Sequence, residues 1–251
     1  MFELVDTHCH IHEQSYPLVA EDVYKASIEA GVATMICVGT NLQSSIEALQ
    51  FADSHPRAFA SIGIHPHDAK DSDGDLSKLV GESQKLVAIG EIGLDYFYEY
   101  SDRKLQIQIL ERQLQLAVDN SLPVIFHVRN AFDDFWPIFD NFPGLKGVLH
   151  SFTDTETNAI EGFKRGLLIG VNGISTFTKE STQQEMYSRL PLDKIILETD
   201  APFLTPRPFR GKVNEPSMVV EIARFHADKR GLSIEEVATQ TTTNAKNLFQ
   251  L

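Results

Sequence analysis

The chain has 251 residues, and its 22 basic against 35 acidic side chains leave a formal net charge of −13. With 42% hydrophobic and 23% charged residues it falls outside the disordered, collagen-like and coiled-coil classes, and no run approaches the ~18 apolar residues of a membrane span. A pI near 5.1 argues against a wide basic face for duplex DNA, so any contact with nucleic acid has to be local or helped by cations.

Short apolar runs alternate with segments of helical period. Strands are expected at 2–6, 34–38, 58–64, 86–92, 124–128, 147–150, 167–171 and 194–197. They are rich in Val, Ile and Leu without clear alternation, the pattern of strands buried on both faces of a parallel sheet. Amphipathic helices are expected at 20–30, 44–53, 103–120, 131–141, 155–164 and 180–189, with Gly31, Gly144 and Gly166 as stops. A Pro-rich loop from Pro202 to Pro216 leads to two more helical patterns, 218–230 and 234–249. Eight units of ~31 residues match the size of a βαβ repeat. The expected architecture is α/β: a single (β/α)8 TIM-type barrel with extra C-terminal helices, covering residues 1–251 as one domain. The N-terminal apolar run is broken by Asp6 and His8, so no secretory signal is expected. Cys9 and Cys37 make no disulfide framework. A cytoplasmic monomer is expected, with no membrane association and no obligate protein partner.

Active sites of such barrels lie at the C-terminal ends of the strands, and six of the nine histidines collect there: His8, His10, His65, His67, His127 and His150. Glu91 and Asp200 end strands 4 and 8 on the same face. Alternation along a strand turns His8 and His10 one way and Cys9 the other. Imidazoles mixed with carboxylates suit a divalent transition-type cation. Four imidazoles (His8, His10, His127, His150) and two carboxylates suffice for two ions, with Glu91 as the bridge and Asp200 as both ligand and general base.

The motifs D-T-H-C-H (6–10), G-I-H-P-H (63–67), G-E-I-G-L-D (90–95), F-H-V-R (126–129), H-S-F (150–152), E-T-D-A-P-F-L-T-P (198–206) and R-G-K-V-N-E-P (210–216) resemble those of the TatD family, over essentially the whole chain and in the family's order. These are metal-dependent deoxyribonucleases on amidohydrolase-like barrels. The resemblance implies metal ligands at His8, His10, Glu91, His127, His150 and Asp200, a divalent cofactor pair (Mg2+, Mn2+ or Zn2+), and 3′-to-5′ exonuclease action on single-stranded DNA. Many related barrels bridge their metals through a carboxylated lysine on strand 4, where this chain has Glu91. Asn130 and Asp154 depart from the family pattern beside the site.

In that scheme Asp200 and Glu91 are catalytic, His65 donates to a phosphate oxygen, and Arg129, Arg207 and Arg210 hold flanking phosphates. Lys212 shares the basic loop. Blander roles stand beside these. His67 either caps a loop or contacts a phosphate, His12 lies outside the ligand set, Glu198 orients the strand 1 histidines, and Cys9 and Trp136 pack. Phe97, Tyr98 and Tyr100 either stack on bases or pack a loop. A different metal-dependent hydrolase (ester, lactone or D-aminoacyl-tRNA deacylase) and a non-catalytic binding protein are the alternative functions.

Overall fold

A computed structural model of the chain describes residues 2–71, 75–98 and 100–251. The apolar runs form eight strands: β1 (Leu4–Cys9), β2 (Val32–Val38), β3 (Ala58–Ile62), β4 (Leu86–Asp95), β5 (Val124–Arg129), β6 (Gly147–Leu149), β7 (Leu167–Val171) and β8 (Ile195–Leu197). All neighbours pair in parallel, in the order 1 to 8. Between them run α1 (Ala20–Glu29), α2 (Leu42–Ser54), α3 (Arg103–Asn120), α4 (Phe132–Phe139), α5 (Glu156–Lys164), α6 (Ile174–Phe177) and α7 (Ser181–Arg189). α8 (Val219–Arg230) and α9 (Ile234–Phe249) follow β8. The helix starts carry their own chemistry: Asn41, Asp102 and Thr155 accept backbone N–H groups of α2, α3 and α5, and Ser233 with Glu236 forms a capping box on α9. Among the described residues no helix is long and apolar enough to cross a membrane.

Several bounds differ from the sequence-based expectation, among them β2, which starts two residues earlier, and β3, which stops two residues earlier. β1 starts two residues later and runs on to Cys9, and β4 continues to Asp95. The β3–β4 link holds short 3-10 turns at Pro66–Asp71 and Leu76–Leu79, because this polar stretch offers too little apolar periodicity for a packed helix. Gly31 and Gly166 directly follow the capping residues of α1 and α5, but Gly144 lies in a turn four residues beyond the cap of α4.

Core packing shows which way each strand residue faces. Leu4, Met35, Ile89, Phe126 and Leu149 join a cluster with helix residues such as Val23, Leu110 and Phe135. Val5, Ile36, Ile125, Val148 and Ile196 join a second cluster, with Phe249 from the end of α9. The second set faces the barrel interior. Strict alternation from Ile125, Val148 and Ile196 then carries His127, His150, Glu198 and Asp200 inward. Alternation from Val5 would instead turn Thr7 inward and His8 out. The structure corrects this with a bulge: from Asp6 to Cys9 β1 advances three residues while β2 advances two, Met35 to Cys37. A second bulge lies between Ile89 and Ile92 of β4, opposite Val124 to Phe126. It turns Glu91, and after it Gly93 and Asp95, inward. One extra residue re-aims everything beyond it.

The seam between β8 and β1 is made by few groups. Asp200 N donates to His8 O and His10 N to Ala201 O, both at 2.8 Å, around a single bridge, Cys9 to Ala201. Buried Asp6 accepts from Thr199 N (2.8 Å) and Thr199 Oγ1 (2.6 Å), and Thr7 Oγ1 donates to Leu197 O at 3.0 Å. Burial pushes the Asp6 carboxyl up to about 8.

Outside the histidine cluster, His226 of α8 is buried with Nε2 3.0 Å from Ser175 Oγ. Burial, helped by Arg230, lowers its pKa from 6.5 to about 3. The unfolded chain therefore binds a proton there below pH 6.5 that the native protein does not, and stability falls as pH drops from 6.5 towards 3. Unfolding free energies from urea titrations across this range are expected to fall more steeply with acidification in the wild type than in the His226→Gln variant, by about 1.4 kcal/mol per pH unit.

Candidate metal centre

Glu91 sits at the middle of the cluster, 4% exposed. Its two oxygens face different groups. Oε2 is 3.4 Å from His8 Nε2. Oε1 is 2.9 Å from His127 Nδ1, 3.5 Å from His65 Nε2 and 3.8 Å from His150 Nε2. Asp200 Oδ1 lies 3.5 Å from His10 Nε2, 3.7 Å from His8 Nε2 and 3.8 Å from His150 Nε2. All six residues marked in the sequence as ligands thus meet at one point. Burial alone raises a carboxyl, yet the surrounding imidazoles hold Glu91 well below the usual range and lower Asp200 as well.

Close approach of these strands needs missing side chains. A Cβ on Gly63 would come within 2.6 Å of the Gly90 carbonyl carbon and 2.7 Å of Glu91 N. Gly93, at φ 154°, leaves room for the backbone of His127.

Surrounding groups orient the rings. His10 Nδ1 faces Val38 O at 3.0 Å; a carbonyl only accepts, so the neutral ring keeps its proton on Nδ1 and turns the Nε2 lone pair into the cluster. His150 Nδ1 lies 2.9 Å from Glu198 Oε1 as an ion pair, with Nε2 turned into the cluster. Against burial, Glu198 and Glu91 push His150 up to about 10. Carboxylate or carbonyl partners behind inward-facing imidazoles are the usual support of metal-binding histidines. His8 Nε2 and His10 Nε2 stand only 3.1 Å apart. Imidazole and carboxylate donors this crowded and this dry fit a borderline divalent cation. Three subsets have the spacing of an ion site: His8, His10 and Glu91; His65, Glu91 and His127; and His8, His150 and Glu198.

His65 differs from the others. Its Nδ1 accepts from His67 N at 3.1 Å, which leaves the proton of the neutral ring on Nε2, pointing at the cluster as a donor. Burial and the nearby His127 lower its pKa to about 3, so the ring stays neutral.

Glu198 does not orient the strand 1 histidines as expected from the sequence. It reaches His150 and accepts Ser151 N at 2.6 Å, crossing β7 at Gly170, where a Cβ would lie 2.5 Å from its carboxylate. The strand 1 end is held instead by Asp6, which accepts His8 N at 3.3 Å. Asp95 was given no role from the sequence, although it shares the parity of Glu91 and Gly93 once β4 is known to continue. Its Oδ2 touches His127 Nε2 at 2.9 Å and His67 Nε2 at 3.0 Å, and its Oδ1 accepts Phe97 N and Tyr98 N, each at 2.9 Å. Against burial, Asp95 and Glu91 together hold His127 up at about 8. His67 therefore belongs to this carboxylate and is not merely a loop cap. His12 is buried against Ser44 Oγ at 3.2 Å.

A cavity of about 780 Å3 opens over the cluster, lined also by His67, Tyr98, Arg129 and Phe203. The Arg129 guanidinium lies 4.0 Å from the Phe97 ring and 4.9 Å from the Tyr98 ring. Arg207 and Arg210 are exposed and do not line the cavity. Arg210 lies over Phe177 at 3.8 Å and donates to Thr205 O at 2.9 Å. Since Asp95 backs His127 from behind, Asp95→Asn is expected to lower divalent-ion affinity ~10–100-fold, read by calorimetric titration of the apo protein with Mn2+ and Zn2+.

Comparison with known proteins agrees with this geometry. A family model described as TatD related DNase matches residues 5–250. YabD of Bacillus subtilis, an uncharacterised metal-dependent hydrolase, is 35% identical over 253 residues, covering 99% of each chain. A protein of Erwinia tasmaniensis named 3′-5′ ssDNA/RNA exonuclease TatD is 38% identical over 242 residues, 92% of this chain and 93% of the relative. The crystal structure of YjjV, a TatD homologue from Escherichia coli, has a TM-score of 0.90 at 28% identity and covers 99% of this chain and 98% of its own. The barrel and its cluster of imidazoles and carboxylates thus sit in a chain that belongs to the TatD related DNase family and is a metal-dependent hydrolase.

Proposed function

We propose that the protein is a 3′-to-5′ exonuclease acting on single-stranded nucleic acid, with His8, His10, Glu91, His127, His150 and Asp200 holding two divalent ions. The division of Glu91 between His8 on one oxygen and His127, His65 and His150 on the other carries this assignment, because a carboxylate that spans two donor groups is what a paired-ion site requires. When bound, such ions supply Lewis acidity, activating water and neutralising charge on the phosphoryl oxygens. Asp200, ionised and at the open end of the cluster, takes the proton of the attacking water. His65, neutral with its proton on Nε2, donates to a phosphoryl oxygen as negative charge develops there. Arg129, packed against Phe97 and Tyr98, holds the adjacent phosphate at the mouth. Residues 1–251 act in this scheme as one hydrolase domain. The nucleic-acid substrate is supported by the family's description and by the Erwinia relative's printed activity.

The test uses metal-loaded protein with 3′-labelled and 5′-labelled single-stranded DNA and RNA. Stepwise shortening from the 3′ end, abolished by chelator, is the expected result. Asp200→Asn is expected to lower the rate by ~10²–10⁴. His65→Ala is expected to lose ~10²–10³, with part recovered in His65→Gln, whose amide can present a donor near Nε2. Intact nucleic acid beside hydrolysis of ester, lactone or aminoacyl-tRNA substrates would overturn the assignment.

A further inference from the structure

Phe203 is the most exposed large aromatic ring among the described residues, at 59%. Yet it lines the cavity over the cluster, three residues beyond Asp200. Among the described residues no other ring or cation stacks on it, so nothing in the fold uses its face. Exposure of this kind usually reflects a mobile loop, but here the backbone is fixed. Phe203 N donates to Asp200 O at 2.8 Å. Phe203 O accepts Asn214 Nδ2 at 2.5 Å, and the same amide donates to Thr199 O at 2.8 Å. Asn214 is fully buried. The next residue, Leu204, packs its carbonyl against Gly173, where no Cβ would fit. The backbone that carries this unused aromatic ring is therefore fixed three residues beyond the carboxylate assigned as general base. Across the mouth, Arg129 rests on the aromatic residues that follow β4, the strand opposite β8 in the barrel order.

We infer that Phe203 is the base-stacking platform of the site, taking the face of an unpaired nucleobase beside the scissile phosphodiester. This rests on the nuclease assignment above. Stacking on a ring face tolerates every base, so the platform confers preference for unpaired ends without sequence preference. A base within a duplex stays stacked on its neighbours and cannot offer that face.

The experiment compares a single-stranded oligonucleotide with versions carrying an abasic residue at either nucleotide flanking the terminal phosphodiester. In the wild-type protein kcat/KM is expected to fall about tenfold for one of the two abasic positions. Phe203→Leu is expected to show a similar loss on the normal substrate and no further loss on that abasic one, and Phe203→Trp to restore discrimination. Independent, multiplying losses from the variant and the abasic substitution overturn the assignment, as does a Phe203→Leu variant that still discriminates fully. If the wild-type protein shortens no oligonucleotide, the nuclease assignment itself fails; if it shortens normal and abasic substrates equally, only the role of Phe203 does.

Discussion

A carboxylate buried in a protein interior has to be compensated locally, and in this barrel that constraint falls on Glu91. It is 4% exposed, and four imidazoles stand within ion-pair reach of its two oxygens. Removing the carboxylate would leave His65 and His127 facing each other, and His8 and His150 with Asp200 alone as a nearby acid of the ligand set. Keeping it demands that β1, β3, β5 and β6 all deliver a ring to one point. The barrel supplies this because its strands converge in parallel and end together. Apolar packing holds the barrel, but the placement of one acid determines which side chains its open end can carry.

The rings are not left to choose their own protonation pattern. Val38 O and Glu198 face His10 and His150 from behind, while a backbone N–H faces His65. A carbonyl behind His10 and an N–H behind His65 set the two rings apart, one as a lone-pair donor and the other as a proton donor. One residue type thereby takes two different tasks. The same economy answers the acidity of the chain. With a net charge of −13 and, among the described residues, Arg129 as the one Arg or Lys lining the cavity, attraction for a polyanion has to come from groups gathered at the cluster itself.

Much of this was legible in the sequence, because strand ends and ligand types are both written locally. His127, His150 and Asp200 follow from simple alternation beyond apolar runs. The β1 and β4 contributions do not. A bulge adds one residue without any compositional mark, and both His8 and Glu91 depend on one. Asp95 was hidden for a related reason: an apolar run that stops at Ile92 gives no sign that the strand continues. Glu198 was assigned to the wrong neighbour because its path to β6 depends on the absent side chain of Gly170, a long-range fit between strands. Arg207 and Arg210 looked close to the site in sequence, and the turn around Phe203 carries them outside the cavity.

The seam between β8 and β1 has a further consequence. Elsewhere the strands are joined by ladders, whereas this junction relies on two backbone bonds, one bridge and the buried Asp6–Thr199 contact. Its two sides are also the chain segments that present His8, His10 and Asp200. Opening the ring of strands and dispersing the cluster are therefore one event. Anything bound jointly by those three side chains acts as a clasp on the barrel, so occupancy of the site and resistance to unfolding are thermodynamically linked.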